Sequence, residues 1–221
     1  MKFTFGIVTG TSVEDTVLNS IYKLNIPEFE IIIVGGQSPI GYPNLTHIPF
    51  DETKQQNWIT KKKNVIVEHA KYDNIVFMHD YLVFDQDWYT GFKKFGNDFD
   101  ICMNVIKNLD GSRFRDWCAW DDPTINYPLG GVATGSGQNH RIALPSYEYN
   151  KKQYMYISGT YWIAKKHVMQ AEPLDETLVW GDSEDVEWSK RVLPKYNYTM
   201  NIHSSVYMLK DKKLSAIYLE N

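Results

Sequence analysis

The 221 residues carry 23 Lys and Arg against 27 Asp and Glu, a formal net charge of -4, with 43% apolar and 23% charged residues. That length can bury a substantial core, as one large domain or two small ones. The mildly acidic balance gives no bulk attraction to nucleic acid or to an anionic membrane. No apolar run approaches the roughly 20 residues of a membrane-spanning helix. Cys102 and Cys118 have neither disulfide-scaffold nor zinc spacing and read as reduced thiols. The opening residues lack the apolar core and small-residue cleavage site of a secretory leader, so the expected location is cytoplasmic. Aromatic content is 14%, including 15 Tyr and 7 Trp, which suits ligand-facing rings.

In chain order, Phe3 to Val8 reads as a short strand and Thr9-Gly10-Thr11-Ser12 as a turn. Ser12 with Asp15 gives a helix-capping signature. Val13, Val17, Ile21 and Leu24 then recur at helical spacing, and Pro27 stops the helix. Glu30 to Val34 is a β-branched run typical of a buried parallel strand, closed by Gly35-Gly36. Leu45 to Phe50 reads as another short strand. Trp58 to Ala70 reads as a helix with lysines on one face. Asn74 to Met78 is a second buried strand, running into His79-Asp80-Tyr81. This alternation predicts an α/β fold with a doubly wound, mostly parallel sheet flanked by helices. Such sheets bind ligands at the carboxyl ends of their strands, which places Thr9, Gly10, Gly35, His79 and Asp80 on one rim.

Asp100 to Val105 reads as a further strand. Residues 108–150 are rich in Gly, Asn, Asp and Pro with little periodicity, and Gly130 to Gly137 reads as a flexible loop. A structureless stretch of that length usually serves as a lid or substrate loop. Gln153 to Lys165 alternates like strands broken at Ser158-Gly159. Ser183 to Leu193 is a helix, and Tyr198 to Tyr218 holds short strand-like pieces around His203.

Three acids fall within four residues in Trp180-Gly181-Asp182-Ser183-Glu184-Asp185. Asp182 and Ser183 suit a helix cap, and acids in a first turn are favoured by the helix dipole. Capping accounts for two of the acids better than for all three. Asp80 is either a turn residue or a crevice carboxylate, His203 either a structural histidine or a ligand. Lys61-Lys62-Lys63 reads as a solvated face or an anion contact, as does the pair Arg113 and Arg115.

On these motifs the chain resembles glycosyltransferases of the GT-A fold. The first half resembles family 2, through Phe3–Thr9, Val13–Leu24, Glu30–Val34, Lys63-Asn64 and the strand ending in His79-Asp80-Tyr81 at the position of a DxD motif. The second half is similar to inverting galactosyltransferases, whose Trp-Gly-Gly-Glu-Asp motif stands where this chain has Trp180 to Asp185 and whose later metal-site His matches His203. There are two departures. Gly35-Gly36 stands in place of an Asp pair, one of which contacts the nucleotide base, and Tyr81 stands where the last DxD acid would be. A metal-independent variant is therefore compatible with the pattern.

The resemblance implies one domain, with residues 1–105 as a nucleotide-binding half and 106–221 as an acceptor-binding half. A small antiparallel element is expected in the second. It implies transfer of a sugar, with inversion, from a nucleotide-sugar donor (a UDP-sugar favoured) to a hydroxyl of a carbohydrate or glycan acceptor. Mn²⁺ or Mg²⁺ would bridge Asp80, His203 and the leaving diphosphate. Asp185 would be the general base, with Glu184 binding acceptor hydroxyls. Thr9, Gly10, Gly35, Lys63, His79 and Asp80 would hold the donor. Trp180, Gly159 and Trp162 would line the acceptor side, with Trp120 a further ring for stacking. Two other classes stay open: a sugar-phosphate nucleotidyltransferase, which usually carries a basic Gly-rich loop that Gly6 to Thr11 lacks, and a non-catalytic carbohydrate- or nucleotide-binding protein.

Overall fold

The computed structural model describes residues 1–126, 132–133, 139–140, 142–210 and 217–218. The expected loop Gly130 to Gly137 lies largely outside them. In chain order the elements are β1 (Phe3–Val8), α1 (Asp15–Tyr22), β2 (Phe29–Val34), β3 (Leu45–Ile48), α2 (Ile59–His69), β4 (Asn74–His79), β5 (Leu82–Phe84), α3 (Trp88–Phe95), β6 (Ile101–Lys107), β7 (Cys118–Trp120), β8 (Val132–Ala133), β9 (Asn139–His140), β10 (Ile142–Leu144), β11 (Met155–Tyr156), β12 (Tyr161–Lys165), α4 (Lys166–Ala171), α5 (Glu184–Val192), β13 (Tyr198–Met208) and β14 (Ile217–Tyr218).

Eight strands form the main sheet in the order β3-β2-β1-β4-β12-β6-β13-β5. The first four pair in parallel, as the β-branched runs predict. Strand β12 then inserts antiparallel between β4 and β6, and β13 runs parallel to β6 and antiparallel to β5. The second half of the chain therefore supplies two strands of this sheet. A separate four-stranded sheet, β11-β7-β10-β14, is the expected small element, antiparallel at β11-β7 and β7-β10. Two of its strands, β7 and β10, lie inside the stretch expected to be structureless, so residues 108–150 are partly ordered as sheet. Elements of two or three residues are too short to show a period.

The core sits on both faces of the main sheet. On one, α3 lays Trp88 and Phe92 against Phe3, with ring centroids 5.1 and 5.3 Å away. The Trp88 indole N–H donates to the Tyr161 hydroxyl at 2.9 Å, so its buried polar atom is satisfied. On the other, α2 packs over β1 and β2.

Two expected caps are absent. Helix α1 starts at Asp15 after Glu14, with no side-chain cap bond. The Ser12 turn is drawn elsewhere: the Gln37 N–H donates to the Thr11 carbonyl at 2.6 Å, tying that turn to the loop after β2. Helix α5 has Ser183 at its cap position, but with φ 60° and no side-chain cap bond. The Asp182 carboxylate points back instead and accepts the Val179 N–H at 3.0 Å.

Candidate active site

A polar zipper from α2 sets the loop that carries the acidic motif. The Trp58 indole donates to the Glu176 carbonyl at 2.7 Å and the Thr60 hydroxyl to the Leu178 carbonyl at 2.7 Å. The Asn64 amide donates to the Leu174 carbonyl at 2.9 Å, and the Leu174 N–H donates back to Asn64 Oδ1 at 3.1 Å. The Trp180 N–H donates to the Asn57 carbonyl at 3.0 Å. These bonds fix the entry to α5 and leave Trp180 59% exposed at the crevice.

The first turn of α5 meets the turn between β11 and β12. The Gly159 N–H donates to Asp185 Oδ2 at 2.8 Å, and the Val186 N–H donates to Asp185 Oδ1 at 2.9 Å. Ser189 locks the two segments: its hydroxyl donates to the Asp185 carbonyl at 2.6 Å and accepts the Ile157 N–H at 2.9 Å. A Cβ at position 159 would lie 3.1 Å from Asp185 Oδ2 and 3.3 Å from Glu184 Oε1, so glycine is what lets both carboxylates converge there.

Beneath the pair lies Lys63, 1% exposed. Its ammonium donates to the Gly159 carbonyl at 3.1 Å and sits 4.3 Å above the Trp162 ring centroid. Burial lowers its pKa to about 8, against the opposing pull of the Glu184 and Asp185 charges. Burial, then the neighbouring Asp185 charge, pushes Glu184 up to about 7. Burial also raises Asp185, while the Gly159 N–H and then Lys63 hold it down. Two acids and one buried cation therefore form a unit in which burial shifts every member toward its neutral form.

The pair faces a cavity of about 420 Å³ whose walls include His79, Arg115, Tyr156, Ser158 and Trp180. A second cavity of about 190 Å³ is lined by Thr9, Gly10, Glu52, Asn57, Lys62 and Asp80. His79 and Trp180 line both, so the two are compartments of one crevice along the strand ends. The Thr9 hydroxyl donates to Asp80 Oδ2 at 2.6 Å and joins the ends of β1 and β4.

Several expected positions differ. Trp162 is fully buried and stacks on Phe77 at 4.7 Å, so it does not line the acceptor side. Lys63 lies beneath the carboxylates, because the rotation of α2 turns its neighbour Lys62, and not Lys63, into the smaller cavity. Lys62 donates to the Thr9 carbonyl at 2.7 Å and pairs with Glu52. Gly35 lies behind that compartment: its φ is 89°, and a Cβ there would lie 2.3 Å from the Thr9 carbonyl. Of the Arg pair, Arg113 is structural, bonding Asp116 at 2.6 Å and the Pro145 carbonyl at 2.8 Å, while Arg115 lines the larger cavity. Glu52 and Asn57 were not singled out by the sequence, and Lys62 only as part of the lysine run.

His203 is far from Asp80. Leu209 of the β13 edge bonds the Tyr81 carbonyl, and Ser205 bonds Asp85 at the other end of β5. His203 lies beyond that, exposed, with its carbonyl against Gly91 of α3. Extended chain from position 210 to 203 spans on the order of 20 Å. The expected Asp80–His203 metal site is therefore not assembled. Nor does the local donor set fit a divalent cation: one Asp80 oxygen is engaged by Thr9, Glu52 is engaged by Lys62, and that ammonium would repel a metal. Among the described residues no three His, Cys, Asp or Glu side chains are placed to hold one. Among them, too, no helix is long and apolar enough to cross a membrane.

No protein-family model and no curated protein matches the chain. Solved structures do. The chain is similar to S. aureus TarS, with 16% identity and a TM-score of 0.61, over 95% of this chain and 37% of that one. Residues 1–349 of TarS with UDP-GlcNAc match at 13% identity and TM-score 0.58, over 99% of this chain and 62% of that one. GalNAc-T7 with UDP, GalNAc and Mn²⁺ matches at 12% and 0.65, over 98% and 45%. The chain thus spans less than two thirds of these proteins. At such identities the likeness is one of fold, and the fold is the GT-A type of glycosyltransferases.

Proposed function

We propose that the protein is an inverting glycosyltransferase that moves a sugar from a nucleoside diphosphate, UDP favoured, to a hydroxyl of a carbohydrate acceptor. The observation that carries this is the Glu184–Asp185 pair, converging on Gly159 and opening into the same crevice as Asp80. The UDP-containing neighbours of the same fold support the donor class.

The nucleoside diphosphate occupies the compartment of Thr9, Glu52, Lys62 and Asp80, and the acceptor occupies the compartment of Glu184 and Asp185. The acceptor oxygen attacks the anomeric carbon as the bond from that carbon to the phosphate oxygen breaks. The electron pair leaves with the diphosphate, and the acceptor proton passes to the Asp185 carboxylate. One base opposite the leaving group inverts the anomeric centre. Glu184, buried and partly protonated near neutral pH, binds an acceptor hydroxyl. Trp180 stands between the compartments, where an exposed ring can cover a sugar face. Lys62 meets the diphosphate charge with its remaining donor.

The direct test is nucleoside diphosphate release from a panel of nucleotide sugars, with and without oligosaccharide acceptors. Acceptor-dependent release from one donor is expected, and no turnover with any donor would sink the proposal. The base must be ionised, and burial raises the Asp185 carboxyl, so the acid limb of kcat/KM should lie above the ordinary carboxylate range. A profile flat down to pH 5 would contradict a base in this pair.

For Lys62, loss of one charge-assisted bond to phosphate predicts roughly tenfold weaker UDP binding in Lys62→Met. Calorimetry on EDTA-treated protein should give a smaller change than this substitution. The reverse order would return the diphosphate's charge balance to a metal.

A further inference from the structure

Among the described residues the guanidinium of Arg115 has no partner that matches its setting. Its Nε is buried and makes no hydrogen bond. Among the described residues no carboxylate pairs with it, whereas Arg113, two residues earlier, is fully engaged. A guanidinium offers five donors in a planar fork that matches carboxylate or phosphate oxygens. A buried donor left unmade is costly, and the guanidinium that carries it lines the cavity wall, where the rest of its fork can meet a ligand acceptor. The wall around it is specific. Arg115 lines the 420 Å³ cavity with Trp120, Tyr156 and Ser158, and it does not line the compartment of Asp80 and Lys62. It therefore stands on the side of the carboxylate pair, away from the diphosphate.

The local charge also leaves room for an anion. Lys63 draws on both acids from below, and Arg115 adds to its pull on Asp185 without touching it. An oxyanion bound to the fork would sit against a near-neutral cluster rather than against two bare carboxylates.

We propose that Arg115 is the anion-binding residue of the acceptor site, and that the acceptor is an acidic glycan bearing a carboxylate or phosphate ester near the attacked hydroxyl. This rests on the assignment of the larger cavity to the acceptor, but its test is a binding measurement that needs no turnover. Failure of transfer and failure of anion recognition are thus read separately.

The full chain, with UDP present, is titrated with methyl glucuronide, glucose 6-phosphate and methyl glucoside, following the fluorescence of the cavity tryptophans. At least one charged sugar is expected to bind about tenfold more tightly than the neutral one, as one charge-assisted pair gives. Which charged sugar wins distinguishes a carboxylate from a phosphate ester. The preference should collapse toward unity in Arg115→Gln and be largely kept in Arg115→Lys. Equal binding of charged and neutral sugars by the unmodified protein would overturn the proposal, whether or not Arg115→Gln folds. A preference that survives in Arg115→Gln would also overturn it. So would a loss of UDP affinity matching the loss of sugar affinity, since that places the guanidinium on the donor.

Discussion

Asp185→Asn should lower kcat about a thousandfold, within the range a positioned general base contributes, while UDP affinity stays within about threefold. The split follows from geometry. Asp185 opens into the larger cavity and does not line the compartment of Lys62 and Asp80, so a nucleotide bound there does not meet its side chain. The amide keeps the shape of the carboxylate but cannot take a proton. It can also accept only one of the two backbone N–H groups that now hold Asp185, so a modest fall in melting temperature accompanies the loss. Single-turnover rates and calorimetric UDP binding on the same preparation check both halves. A variant with kcat within tenfold of the parent would move the base elsewhere. In that case Glu184→Gln becomes the informative comparison, since its carboxyl lies against the same glycine.

Glu184→Gln carries its own signature. Burial raises the Glu184 pKa in the folded chain, so its protonated form favours folding. That stability is complete below the unfolded carboxyl range and is lost as pH rises through about 7. Glutamine mimics the protonated form, so its benefit to melting temperature should be larger at pH 8 than at pH 5.

The fold was legible where burial writes a pattern. Glu30 to Val34 is β-branched because both faces of β2 are covered, and the strand-end rule brought Thr9 and Asp80 together, as their 2.6 Å bond shows. The convergence of Glu184 and Asp185 on the crevice followed from their place in a helix's first turn beside a fixed loop. What failed depends on facing and register. Lys62 and Lys63 differ by about 100° on α2, so one enters the smaller cavity and the other the core. Trp162 lies on a strand with neighbours on both sides, where no alternation reveals which residues reach solvent. His203 lies within a register irregularity between Asn201 and Ser205 and far along β13 from Tyr81, which no local motif announces. Arg113 and Arg115 look alike in sequence, and only tertiary contacts give one its partners and leave the other facing a cavity.

Lys63→Met should cost about 3 kcal/mol of stability, because removing one partner from a buried charge cluster leaves the others uncompensated. Methionine fills much of the lysine stem's volume, so the loss is electrostatic rather than a cavity effect. Lys63 is the buried cation beneath both Glu184 and Asp185, and it lowers the pKa of each. Without it both carboxyls rise further. The sign is then fixed: the proposed base ionises at higher pH, so the acid limb of kcat/KM shifts upward. A purely structural lysine would lower stability and leave that limb in place. A purely catalytic one would shift the limb without moving the denaturation midpoint. The position of Lys63, bonded to the Gly159 carbonyl while Asp185 takes the Gly159 N–H, requires both effects together. Chemical denaturation at pH 6 and pH 8, with the pH–rate profile of the same variant, separates the three cases. The destabilisation should be greater at pH 8, where the unpaired carboxylates are forced to ionise in a buried site.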